Sequence, residues 1–138
     1  MGFFDKRPQQ SLDDPDFGRI TEGKAGSWEG DAFQLWGRVS IQVMIDAGAD
    51  GPSEEQRSFV RLLRSDHEGI RARIEAAVAA HTKETASQAG ILLISCIYLR
   101  KSPLQQIWKV WFDMDGEEHY WYGAEIQGWD RIVPFTED

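Results

Sequence analysis

Arg38-Val39-Ser40-Ile41-Gln42-Val43-Met44-Ile45-Asp46 is the stretch on which the fold class turns. Val39, Ile41, Val43 and Ile45 fall on one side of an extended chain, and Arg38, Ser40, Gln42 and Asp46 on the other. The alternation predicts a strand with one apolar and one wet face, as in an antiparallel sheet. Upstream, residues 28–36 read as a second strand, weakened by Gly30 and Asp31 and ended by Gly37. Residues 17–22 read as a first strand, with Gly23 to Gly26 as its turn.

Downstream the period changes. Ser53 is a candidate N-cap, and Glu54 and Glu55 suit the positive end of a helix dipole. Phe59, Leu62, Leu63, Ile70, Ile74, Ala77 and Val78 then recur at helical spacing. Ser65 and Glu68 match a second capping box, so two closely joined helices are expected, near 53–64 and 66–83. Residues 91–99 form an apolar run that period alone leaves open between strand and buried helix; the β-rich context favours a strand. Residues 106–113 alternate, with Ile107, Lys109 and Trp111 opposing Trp108, Val110 and Phe112. Asp115-Gly116 signals a tight hairpin into a strand over 118–126, and 129–135 adds a short last strand. Strands, then helices, then strands predict an α+β fold: a mostly antiparallel β-sheet with two consecutive helices packed on one face.

The 138 residues suit one domain. Residues 1–16, with Pro8, Pro15, Asp13, Asp14 and Asp16 and few apolar anchors, read as a flexible N-terminal arm. Residues 17–138 are expected to form a single α+β domain. No run approaches the roughly 18 apolar residues of a membrane span, and the N-terminal residues match neither a signal peptide nor a myristoylation pattern. The chain therefore reads as soluble and cytoplasmic, without a membrane partner.

The net charge is −8, and the acidity lies at the two ends. Residues 1–50 carry nine acidic and five basic side chains, 51–90 six of each, and 91–138 eight and four. Such a field repels a phosphate backbone and attracts a basic protein, so nucleic acid is not an expected partner.

Signals for chemistry are sparse. His67 and His81 are too far apart along the helical stretch to share a metal, and neither has an H-E-x-x-H neighbour. Asp113, Asp115, Glu117, Glu118 and His119 cluster about the hairpin, yet their spacing is not that of a calcium loop, and a strand sends Glu118 and His119 to opposite faces. Cys96, the single cysteine, sits in an apolar run where a thiol is inert. No metal, cofactor or catalytic residue is expected. The anomaly is aromatic: Trp108, Trp111, Tyr120, Trp121, Tyr122 and Trp129 crowd the last third. Large rings on both faces of the 107–126 hairpin leave one set to meet a second layer, a ligand or a partner.

The tryptophan-bearing hairpin, Ser53-Glu54-Glu55-Gln56 at a helix start, and Glu117-Glu118-His119 before a strand resemble small bacterial immunity-protein-like domains associated with polymorphic toxins. The chain departs from that pattern at Tyr120, where a glycine is expected after the histidine. The resemblance implies an α+β fold, no catalysis and the binding of a cognate toxin. The expected function is therefore a non-enzymatic bacterial binding protein that occludes a basic toxin or effector through Asp113, Asp115, Glu117, Glu118 and Trp121. The alternative is a small-molecule or carbohydrate-binding module using the aromatic sheet face.

Overall fold

The computed structural model describes residues 10–85, 92–114 and 120–137. β1 (Ser11–Asp14), β2 (Gly18–Glu22), β3 (Ser27–Leu35) and β4 (Arg38–Asp46) run antiparallel to one another in sequence order. α1 (Glu54–Arg64), a short 3-10 turn (His67–Gly69) and α2 (Ile70–Thr85) follow. β5 (Leu92–Leu99), β6 (Trp108–Met114), β7 (Trp121–Gln127) and β8 (Arg131–Glu137) complete an eight-stranded sheet in the order β1 to β8. Each neighbouring pair is antiparallel except β4 and β5, which are parallel. No hairpin can close a parallel pair, and the helices are the crossover that joins these strands. The result is an α+β arrangement of a mostly antiparallel sheet and two helices.

The sequence explains most boundaries. Ser53 and Gln56 form a reciprocal capping box that starts α1. Gln56 is 1% exposed and uses its whole amide. Its Oε1 accepts from the Ser53 N–H, and its Nε2 donates to the carbonyls of Asp46, at 2.7 Å, and Arg100, at 2.9 Å. One side chain thereby joins the ends of both parallel strands to the helix. Phe59 lies against Trp108, with centroids 5.0 Å apart, and Trp129, at 4.7 Å. Ile70, Ile74 and Val78 of α2 belong to the same buried cluster as Ile41, Val43, Ile45, Ile97 and Val110.

The first half departs from the sequence reading in three places. Residues 11–14, expected within the arm, form β1, and the turn after it buries Asp14, Asp16 and Phe17 and is clamped to α1. Asp14 Oδ1 accepts from the N–H groups of Asp16 and Phe17 at 2.9 and 3.0 Å, and Oδ2 accepts from Arg57 Nε at 2.9 Å. Asp16 takes two bonds from Arg61, and its carbonyl accepts from Arg64. The three arginines stand at i, i+4 and i+7, one stripe of α1. Their partners lie more than forty residues away in sequence, with separations of 43 to 48, so no local pattern announces the clamp.

Val39, expected beside Ile41 in the core, is 65% exposed. Register passes from Leu35↔Arg38 to Phe33↔Ile41, three residues of β4 against two of β3, and this bulge breaks the alternation at Val39. Gly30 and Asp31, read as weakening the middle of this strand, fall in a second register shift. A Cβ on Gly30 would stand 2.5 Å from the Arg19 carbonyl oxygen, so glycine permits the close approach of β2.

The second capping box does not form. Ser65 ends α1 and donates to the Leu62 carbonyl, while Glu68 has φ of 55°. Asp66 instead accepts from the Arg71 N–H at the start of α2. The Asp115-Gly116 turn lies outside the described residues; the strands on either side of it, β6 and β7, pair antiparallel.

Candidate functional site

The pleat sorts the side chains of β4 to β8 into two sets. Val43, Ile97, Val110 and Ala124 stand opposite one another in register and are buried. One residue out of phase run two further rows: Gln42, Cys96, Trp111, Gly123 and Phe135, then Met44, Tyr98, Lys109, Glu125 and Val133. Directly opposed residues share a face, so these rows form the second face of the sheet. Gly123 aside, their side chains range from half-buried to exposed.

A cleft of about 400 Å³ opens on this face. Met44, Cys96, Trp111 and Trp121 give it apolar walls, and Gln42, Ser95, Asp113 and Glu137 give it polar ones. Beside it, Gly123 leaves room for Phe135, since a Cβ there would stand 2.6 Å from Phe135 Cζ. Without that carbon the Phe135 ring lies across β7 and meets Trp111 edge to face, at 6.0 Å and 72°. The Trp111 N–H donates to Glu137 Oε1 at 2.6 Å, fixing the indole and one carboxylate oxygen together. Trp121 is 64% exposed and pairs in register with Glu137.

Farther along the face the acids are already engaged. Lys109 Nζ lies 3.6 Å from Glu125. The Tyr98 hydroxyl donates to Asp46 at 2.6 Å, and partial burial, then this carboxylate, raise the phenol above its ordinary range. Burial pushes the Cys96 thiol up to about 11, so it stays protonated at neutral pH and is a poor nucleophile. His67 stacks edge-on against Trp129, and His81 shares a hydrogen bond with Thr136. Among the described residues no three His, Cys, Asp or Glu side chains gather as metal ligands. The cleft offers flat stacking surfaces and carboxylate acceptors, which are means of binding.

Of the residues expected to form a site, Asp113 and Trp121 come together at this cleft from β6 and β7. Asp115, Glu117 and Glu118 lie outside the described residues. The sequence reading missed Glu137, Gln42 and Met44. Their membership follows from the parallel β4–β5 register and from the pairing of β8 with β7, neither of which leaves a mark in local sequence. No family model, curated protein or solved structure matches the chain.

Proposed function

We propose that this is a non-enzymatic binding protein that docks a basic protein partner on the second face of its sheet. The role that best fits is a cytoplasmic bacterial immunity protein occluding a cognate toxin. In this reading both helices gather over the apolar face, filling it with Phe59, Leu63, Ile70 and Ile74, and the opposite face is left for the partner. One observation carries the proposal: Trp121, 64% exposed, stands beside Asp113 and Glu137 in a cleft whose described lining includes no basic side chain. An exposed tryptophan in a concave, carboxylate-flanked setting suits an interface anchor. The net charge of −8 would steer a basic partner and raise its association rate.

The test is affinity capture from lysate with the wild-type chain and Trp121→Ala side by side, then calorimetry on the recovered protein at low and high salt. A basic protein held by the wild type, weakened by salt and lost by the variant supports docking here. Equal capture by both chains removes this face from the function. A second reading has its own support, because the cleft volume lies within the roughly 300–1,000 Å³ of small-molecule sites. Tryptophan fluorescence that responds to a low-mass sugar or metabolite, with no protein captured, would favour it.

A further inference from the structure

Resting on the reading of this face as a docking surface, we propose that the cleft receives one arginine side chain of the partner. Its guanidinium would stack on the Trp121 indole and bond to the carboxylates of Asp113 and Glu137. Charge complementarity carries the choice of occupant. Other clefts of similar volume among the described residues hold an arginine in their walls: Arg131 in one, Arg19 in another, Arg38 and Arg64 in a third. Here two carboxylates line the space, with no cation among the described lining residues.

The state of those carboxylates sharpens the argument. Glu125 and Asp46, on the same face, each have a basic neighbour, Lys109 at 3.6 Å and Arg100 at 4.0 Å. The Asp113 side chain, exposed on β6, has no hydrogen-bond or ion-pair partner among the described residues, its backbone alone being engaged in the ladder with β5. Glu137 receives the neutral Trp111 N–H on Oε1, which leaves Oε2 to accept a second donor. An arginine fits this set better than a lysine. Its guanidinium is planar, weakly hydrated and able to bond a carboxylate bidentately while stacked on a ring. An ammonium brings a tighter hydration shell and no flat face. Trp121 supplies the exposed π surface and Asp113 the acceptor, from adjacent strands.

The experiment titrates the full chain with N-acetyl-L-arginine methylamide and follows the indole N–H resonances. The citrulline analogue, a neutral isostere, and the lysine analogue are run in parallel. Trp111 and Trp121 should shift saturably with the arginine probe. Trp28 and Trp108, buried and bonded to the Gly48 and Gly128 carbonyls, should not. The citrulline probe should bind about tenfold more weakly, and Asp113→Asn should erase most of that difference. Equal binding of arginine and citrulline, or shifts that bypass Trp121, would overturn the proposal. If the arginine probe fails while Trp121→Ala still releases a captured partner, the pocket assignment falls and the docking face stands. If the probe binds but the partner ignores Trp121→Ala, the docking reading falls, and with it the assignment of that arginine to the partner.

Discussion

Two parts of this molecule set a pair of carboxylates beside aromatic rings, and they use them in opposite ways. At the β1–β2 turn, Asp14 and Asp16 are 7% and 8% exposed and are met by Arg57, Arg61 and Arg64, with Arg64 also over the Phe33 ring at 4.8 Å. At the cleft on the second sheet face, Asp113 and Glu137 are exposed, and among the described residues no guanidinium lines that space. The first pair is consumed in holding β1 to α1. The second is left with acceptor capacity toward solvent. Local composition is alike in the two places, so an acidic cluster acquires its meaning from what the fold brings opposite it.

The contrast is easiest to break through stability. Asp14→Ala removes the oxygen that accepts from two backbone N–H groups and leaves Arg57 without its carboxylate, and should cost about 3 kcal/mol in urea unfolding. Asp113→Ala should change stability by no more than about 0.5 kcal/mol. Equal losses would mean that Asp113 has a structural partner and that the division is wrong.

Binding should respond in the reverse sense. Trp121→Ala is expected to lower affinity for a captured partner by about 2 kcal/mol, read by calorimetry, with an unchanged circular dichroism spectrum. Arg61→Gln should lower the urea midpoint by less than Asp14→Ala does, since its bonds to Asp16 are charge-assisted but half-exposed, and should leave arginine-probe binding alone. Weakened probe binding in Arg61→Gln would show that the two regions communicate.

A separate effect concerns pH. Burial raises the Cys96 thiol from 9.0 in the free group to about 11 in the fold. The unfolded chain therefore ionises first as pH rises. The contribution of the buried thiol is fully present below about 9 and is lost as pH climbs toward about 11. Urea midpoints of the wild type and Cys96→Ala should converge over that window. Alkylation by iodoacetamide at pH 8 should be much slower than for free cysteine, and a fast reaction would show that the Cys96 thiol is not held protonated.

Local pattern made most elements legible. Alternation over 38–46 placed β4 with the bounds Arg38–Asp46, and the Ser53–Gln56 cap fixed the start of α1. The inward set Trp108, Val110 and Phe112 was separable from Lys109 and Trp111 by parity alone, as the burial along β6 bears out. Asp113 and Trp121 could be named as candidates because a hairpin is local and its two strands must meet. The failures share a different cause. The Asp14–Arg57 and Asp16–Arg61 pairs span more than forty residues, and the exposure of Val39 follows from a bulge set by the β3 register. Glu137 joined the site only through the pairing of β7 with β8.

What the sequence determined by itself is the succession of strands and helices after the first strand, the parity of the strands away from the β3–β4 bulge and the acidic, aromatic character of the last third. These depend on side-chain period and on capping between near neighbours, which operate within a few residues. What the tertiary structure decided is which strands are parallel, which carboxylates are neutralised and which rings remain exposed. Those outcomes depend on a helical crossover that sets β5 beside β4 and on arginines of α1 that reach back to the first turn. A charge or an indole far along the chain acquires its partner through the fold, and sequence distance carries no record of that meeting.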